Sequence, residues 1–173
     1  MPLPLKTIAV GLAIALAPAA ANAESAVAML KNNDGKALGE VTLTETASGM
    51  IHIVANLEGL PPGVHGFHVH AKGDCSASDF TSAAGHLASG REHGVLADGG
   101  PHPGDLPNIH VGDDGKLMVE YFNGLLTFDS SGEGAMFDED GSAVMIHAGA
   151  DDYQSQPSGA AGARIGCGVL EKQ

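Results

Sequence analysis

The sequence predicts an all-β fold in which about eight antiparallel strands form a β-sandwich or flattened barrel with two long functional loops. Apolar and polar residues alternate through most of the chain, as they do on a strand with one buried face. Clusters of Gly, Pro, Asn and Asp separate these segments, and no segment has a convincing helical period. Tryptophan is absent, so Val, Ile and Leu must fill the core.

Each predicted strand follows from its own pattern. The clearest is 50–57, where apolar residues at odd positions alternate with more polar ones. Turn clusters at 32–35 and 113–116 end the strands before them, and the second predicts a hairpin. The predicted strands cover, in order, 25–31, 38–46, 50–57, 66–70, a segment from 109, 117–121, 125–128, 142–147 and 164–170.

Two long segments show no periodicity. Residues 72–107 are rich in Gly, Ala, Ser, Asp and His and have few large apolar side chains. Residues 148–163 form a second segment rich in Gly, Ser and Asp. Long loops inside a compact domain are usually functional, and the first one carries three of the nine histidines.

The N-terminus has the features of an export signal. Lys6 precedes a short apolar run at 8–17, and the small-x-small sequence Ala-Asn-Ala at 21–23 is typical of a cleavage site. The run is too short to cross a bilayer comfortably. We therefore expect a signal peptide at 1–23 and one exported domain at 24–173.

Composition limits the partners of this domain. Removal of the signal peptide takes away Lys6, one of the 8 basic residues. The mature domain then has about seven basic and 21 acidic residues, a formal charge near −14. Such a surface repels nucleic acid and anionic membranes, and we expect neither as a partner. Two cysteines in an exported chain predict one disulfide, Cys75–Cys167, with two unpaired buried thiols as the alternative.

Histidines carry the strongest chemical signal. In an extended strand His68 and His70 point to the same face, while Phe67 and Val69 point into the core. Taken alone, such a pair is more often a strand with two solvated histidines than a metal site. Imidazole-rich sites suit copper and zinc, and three histidines with one carboxylate suit tetrahedral zinc. The full set of candidate ligands is His68, His70, His86, His93, His102, Asp105 and His147.

Several short motifs follow one another in a specific order. They are Gly-Phe-His-Val-His at 66–70, Gly-His at 85–86, His-Gly at 93–94, His-Pro-Gly-Asp-Leu-Pro at 102–107, Ile-His-Ala-Gly at 146–149, Asp-Asp-Tyr at 151–153 and Gly-Ala-Arg-Ile-Gly-Cys-Gly-Val at 162–169. Together they resemble the copper,zinc superoxide dismutases, specifically the exported bacterial branch found in the periplasm. The resemblance covers essentially the whole mature chain and implies an eight-stranded Greek-key sandwich of immunoglobulin-like type.

The resemblance implies one copper and one zinc ion per subunit. The implied copper ligands are His68, His70, His86 and His147. The implied zinc ligands are His86, His93, His102 and Asp105, with His86 as an imidazolate shared by both metals. Asp151 matches the carboxylate that links a copper-ligand histidine to a zinc-ligand histidine, and Cys75–Cys167 matches the intrasubunit disulfide.

The resemblance also implies the reaction. Copper that alternates between two oxidation states takes an electron from one superoxide anion and gives it to another, and the products are dioxygen and hydrogen peroxide. In this family the His86 bridge to copper breaks on reduction, and the ring holds a proton that the peroxide needs. Arg164 matches the guanidinium that pairs with the incoming anion. Lys72 and Arg91 are candidates for additional local attraction of the anion.

The chain departs from the family pattern in its zinc loop. Only six residues separate His86 from His93, and Ala88-Ser89 replaces the usual Asn-Pro, so the loop must follow a different path. The alternative function is a non-catalytic periplasmic copper- or zinc-binding or delivery protein on the same sandwich. Family members include monomers and dimers, which leaves a homodimer open. The other histidines match no ligand position: we expect His65 to be structural, and His52 and His110 to lie on the surface.

Overall fold

A computed structural model describes Met1 and residues 23–173 as nine β-strands and one short 3₁₀ turn. Almost all of the predicted signal peptide at 1–23 lies outside the described residues. The elements are β1 (Ser25–Lys31), β2 (Ala37–Glu45), β3 (Ile51–Glu58), β4 (Gly63–His65), β5 (Phe67–His70), the 3₁₀ turn Thr81–Ala83, β6 (Ile109–Val111), β7 (Lys116–Asn123), β8 (Ala143–His147) and β9 (Arg164–Lys172).

Seven strands form one curled antiparallel sheet in the order β5-β8-β9-β1-β2-β3-β7, and β4 pairs with β6 in a second small sheet. Hairpins join β1, β2 and β3, whereas crossover connections carry the chain from β3 to β5, at the opposite edge of the sheet, and from the β7 edge back to β8. Such crossovers between distant strands are of the Greek-key type. The prediction of an all-β antiparallel sandwich is confirmed.

Alternation in the sequence places one face of each strand in the core. On β3 the odd-numbered residues Ile51, Ile53, Ala55 and Leu57 are buried, as their pattern predicts. One apolar cluster collects side chains from strands throughout the chain, and Phe67 and Val69 of β5 belong to it. Because these two side chains fill the core, the alternate residues of β5 turn towards the loops.

The structure adds a short strand, β4, directly before the predicted strand at 66–70, and Gly66 separates the two. The chain pairs with β6 before this residue and with β8 after it. A side chain at Gly66 would come within 2.9 Å of the Ala161 Cβ and 3.1 Å of the His68 ring. The glycine therefore allows the second long loop to approach the histidine-bearing strand closely.

Two local predictions are wrong. Residues 125–128 form no named strand, because the Asn123 Oδ1 accepts hydrogen bonds from the backbone N–H groups of Leu125 and Leu126 and turns the chain. Leu126 and Phe128 are nevertheless buried, which produces a strand-like pattern. The turn at 113–116 exists but closes no hairpin, since β6 pairs with β4 and β7 pairs with β3.

The predicted loops and disulfide are present. The first long loop joins β5 to β6 and the second joins β8 to β9. Cys75 in the first loop is bonded to Cys167 on β9, with an S–S distance of 2.00 Å, and this excludes the alternative of two free thiols. Within the described residues, no helix has the length and apolar character to span a membrane.

Candidate metal centre

Strand pairing brings three of the predicted histidines together. β5 and β8 are antiparallel neighbours, with Phe67 opposite Ile146, so His68, His70 and the last residue of β8, His147, lie at one side of this pair. The first loop then returns to β5, where a single β-bridge places His86 beside His70. Two strands and one loop therefore supply four imidazoles to one place.

These four residues, which we term the four-histidine cluster, comprise His68, His70, His86 and His147. One ring nitrogen from each lies within 4.8 Å of the others, and all four residues are buried. The nitrogens in question are the Nδ1 of His68 and the Nε2 of His70, His86 and His147, and none has a hydrogen-bond partner among the described residues. Four unpaired polar atoms buried side by side would be costly without a bound ion, whereas four imidazole donors suit copper.

A second group, which we term the mixed cluster, comprises His86, His93, His102 and Asp105. The Oδ1 of Asp105 lies 2.9, 3.0 and 3.2 Å from the Nδ1 atoms of His86, His93 and His102. Its Oδ2 accepts hydrogen bonds from the backbone N–H groups of Gly94 and His102. Three imidazoles and one oriented carboxylate are a donor set that fits tetrahedral zinc.

His86 belongs to both clusters. Its Nδ1 faces Asp105, and its Nε2 faces the other three imidazoles of the four-histidine cluster without a hydrogen-bond partner among the described residues. A deprotonated imidazole can donate one lone pair from each nitrogen. The ring is thus placed to bridge two metal ions.

Asp151 connects the two clusters through a second route. Its Oδ2 lies 2.7 Å from the Nε2 of His68, and its Oδ1 lies 3.0 Å from the Nε2 of His93. Both contacts use the ring nitrogen that faces away from the respective cluster, which fixes the orientation of each ring. Asn108 holds the aspartate in place, since its Nδ2 donates to the Asp151 carbonyl and its Oδ1 accepts from the Asp151 N–H.

Burial keeps the imidazoles of His68, His70 and His147 neutral. Desolvation lowers the pKa of His68 to about 3, of His70 to about 2 and of His147 to about 4, despite hydrogen bonds that oppose the shift. Burial alone would raise the pKa of Asp151, but contacts with His68 and His93 lower it to about 2. Neutral imidazoles and ionised carboxylates are the forms that bind metal ions.

Arg164 lies at the entrance to the four-histidine cluster. It lines a pocket of about 340 Å³ together with His70, His86 and His147. Its guanidinium donates hydrogen bonds of 2.6 Å to the carbonyl oxygens of Phe80 and Ala84, and no described carboxylate lies within ion-pair distance of it. The positive charge is therefore oriented by neutral groups and stays available to an anion.

Lys72 and Arg91, the two other predicted attractors of anions, do not line this pocket. Lys72 forms an exposed ion pair with Asp140, at 3.3 Å. Arg91 contacts Glu133 and two backbone carbonyls. Arg164 is the one cationic residue among those that line the pocket.

The remaining histidines lie where the sequence predicts. His65 is buried, and its two ring nitrogens lie 2.8 and 2.9 Å from the carbonyl oxygens of His147 and Pro61, so it is structural. His52 contacts Glu120 at the surface, and His110 is exposed. Sequence patterns carry no signal for Asn108, because an isolated Asn in a loop has no distinctive spacing.

Comparison with known proteins identifies the family. The family model of copper/zinc superoxide dismutase (SODC) matches residues 37–170 of the chain. The chain belongs to the copper/zinc superoxide dismutase family. The matched region contains both histidine clusters, Asp151, Arg164 and both cysteines of the disulfide.

Individual relatives within the copper/zinc superoxide dismutase family cover most of the chain. A copper/zinc superoxide dismutase of Caulobacter vibrioides is 44% identical over 150 residues, which are 85% of this chain and 86% of the relative. The crystal structure of a SOD-like protein from Bacillus subtilis matches with a TM-score of 0.80 at 40% identity, over 84% of this chain and 97% of that one. The Cu/Zn superoxide dismutase from Brucella abortus matches with a TM-score of 0.67 at 31% identity, over 86% and 100%.

Proposed function

We propose that this protein is an exported superoxide dismutase, which converts two superoxide anions and two protons into dioxygen and hydrogen peroxide. One observation carries the proposal. Among the described residues, four imidazole nitrogens without hydrogen-bond partners face one another beside a guanidinium without an ion-pair partner, and one of the four rings also belongs to the mixed cluster. When bound, copper supplies one-electron exchange with superoxide, and zinc supplies a fixed positive charge beside the shared ring.

We assign the ligands as the two clusters suggest. Copper is held by the four-histidine cluster and zinc by the mixed cluster, one ion of each per subunit. His86 belongs to both sets and is also the proton carrier: a proton held at its Nε2 lies at the pocket that superoxide enters. Asp151 is a positioning residue, because it orients His68 and His93 without occupying a ligand position.

Arg164 selects and orients the substrate. Superoxide is a small monoanion, and the guanidinium offers both charge and N–H donors at the wall of the pocket. The second loop lines the same wall through Pro157, Ser158 and Gly162, none of which is charged. The local field of Arg164 thus opposes the repulsion from an acidic chain whose formal charge is −13.

The proposal also includes export of the protein to the periplasm. Residues 1–23 act as a signal peptide, and residues 24–173 form the mature enzyme in the periplasm. A disulfide that links the first loop to β9 fits an oxidising compartment of this kind. We also propose a homodimer, which sedimentation of the mature protein at several concentrations tests directly.

Loss of superoxide after pulse radiolysis tests the activity. The purified mature protein is loaded with copper and zinc and compared with His147→Ala loaded in the same way. We expect catalytic decay only with the wild-type protein. Equal rates for the two proteins would contradict the dismutase proposal and favour the alternative, a non-catalytic protein that binds or delivers metal.

A further inference from the structure

Arg91 joins two parts of the first long loop to a separate connection of the fold. Its Nε donates to the Pro101 carbonyl at 2.6 Å, and its Nη2 donates to the Gly100 carbonyl at 3.1 Å. Its Nη1 donates to the Glu133 carboxylate at 2.9 Å. Glu133 belongs to the connection between β7 and β8, which contributes no residue to either metal cluster.

The contacts of Arg91 lie next to two ligands of the mixed cluster. Arg91 precedes His93 by two residues, and the carbonyls that it binds directly precede His102. The guanidinium thus spans both ends of the loop between these histidines. Two other contacts also join these ends. The Glu92 N–H donates a long hydrogen bond of 3.3 Å to the Gly99 carbonyl, and the Asp105 Oδ2 accepts from the N–H groups of Gly94 and His102.

The tip of this loop has little apolar anchoring. Val95 and Leu96 are exposed to 64% and 67%, so neither side chain ties the loop to the core. Polar contacts must therefore order the segment that carries His93 and His102. If this segment is not fully ordered in the metal-free protein, metal binding must order it. The free energy spent on that ordering weakens the observed metal affinity.

A second contact strengthens the link to the β7–β8 connection. The Gly134 N–H donates to the Ser89 Oγ at 3.0 Å, so neighbouring residues 133 and 134 bind positions 91 and 89. This connection is itself anchored in the core through the buried side chains of Phe128 and Met136. It can therefore hold residues 89 and 91, in the short interval between His86 and His93, in a fixed position relative to the core.

We propose that Arg91, Ser89 and Glu133 form an external brace that sets how tightly the mixed cluster retains zinc, an inference that rests on the zinc assignment made above. Arg91 is a positioning residue: it acts through the backbone on both sides of His93 and His102 and touches no ligand atom. A lysine at this position keeps the charge but has one compact ammonium group, which cannot contact two carbonyls and a carboxylate in the same fork geometry.

Zinc retention measures the brace directly. Metal-free wild type and Arg91→Lys are titrated with zinc against a fluorescent chelator, and zinc loss from the loaded proteins to excess EDTA is followed in time. We expect roughly tenfold weaker zinc binding and correspondingly faster loss in Arg91→Lys, the lower end of the range for groups that orient metal ligands. Copper affinity should change less than twofold, because the four-histidine cluster shares only His86 with this loop.

Glu133→Ala and Asp140→Ala form a matched pair. Both remove an exposed carboxylate of the same connection, but the Asp140 carboxylate pairs with Lys72, at the start of the first loop, and forms no ion pair with residues 86–105. We expect a several-fold loss of zinc affinity in Glu133→Ala alone. Unchanged zinc retention in Arg91→Lys, or equal effects of the two alanine variants, would overturn the proposal.

Global damage to the fold is a separate outcome. If Arg91→Lys lowers zinc affinity, copper affinity and the urea midpoint of the metal-free protein together, the brace is not specific and the proposal fails. The test does not depend on catalysis. A loaded wild type without dismutase activity would refute the proposed function, while selective loss of zinc in Arg91→Lys would still support the brace.

Discussion

The metal-free protein should lose stability as the pH falls below neutrality. In the folded state His68, His70 and His147 have pKa values of about 3, 2 and 4, because burial disfavours the charged ring. In the unfolded chain each returns to its ordinary value of 6.5. Below that pH the unfolded state binds more protons than the folded state, so falling pH favours unfolding.

The size of the effect follows from these values. At pH 5 each of the three histidines contributes about 2 kcal/mol of destabilisation relative to pH 8, or about 6 kcal/mol together. This sum leaves out His86, whose pKa burial also lowers, and local opening of the loops, which can admit protons without global unfolding, reduces the effect. It compares with a typical total stability of about 5–15 kcal/mol. The loss should continue until the pH reaches the folded pKa values.

Urea unfolding of chelator-treated protein, followed by far-ultraviolet circular dichroism between pH 5 and 8, measures this slope. His147→Gln should reduce the slope by no more than about one third, because it removes one of three histidines with strongly lowered pKa values while burial lowers the pKa of His86 as well. His110→Gln serves as the control, since His110 is exposed and should leave the slope unchanged. A free energy of unfolding that stays flat from pH 8 to pH 5 would refute the claim that buried neutral imidazoles form the site.

Three further predictions concern the surroundings of the clusters. Gly159→Ala should destabilise the protein by about 2 kcal/mol or more in urea unfolding, because Gly159 has φ +66° and its new Cβ would clash with Asp151 and lie 2.6 Å from the His93 ring. The control Gly49→Ala, at φ +79° with no atom within 4 Å of the new Cβ, should lose less stability. Replacement of both cysteines by alanine should cost roughly 4–5 kcal/mol for a 92-residue separation, and an unchanged urea midpoint would refute this estimate. Arg164→Gln removes one positive charge from the pocket, so it should slow superoxide dismutation on the order of tenfold or more and weaken azide binding, measured by the copper absorption spectrum. Full activity in this variant would exclude the assigned role.

Local pattern was sufficient to predict most of the strands and to name the six histidines and Asp105 that converge on the clusters, whereas the division of these ligands between two metals came from the family resemblance. On β5, strict alternation assigns Phe67 to the core and His68 to the opposite face, and the structure confirms both. The same rule failed at 125–128, where buried Leu126 and Phe128 alternate with less buried neighbours but Asn123 turns the chain. Burial with a period of two does not by itself require a pairing partner.

Contacts between distant segments were not predictable from the sequence. Asn108 holds Asp151 across 43 positions, and Arg91 reaches Glu133 across 42. Neither residue has a motif that specifies its partner, because each contact depends on how two loops pack in three dimensions. The carbonyls of Phe80 and Ala84, which orient Arg164, are backbone groups present in every residue and carry no sequence signal.

Anomalous X-ray diffraction from crystals of the protein loaded with copper and zinc, recorded at both absorption edges, tests the central claim most directly. The account predicts a copper peak bounded by the Nδ1 of His68 and the Nε2 of His70 and His147. It predicts a separate zinc peak beside the Oδ1 of Asp105, with the ring of His86 between the two. A single metal peak, or two peaks that do not share His86, would contradict it.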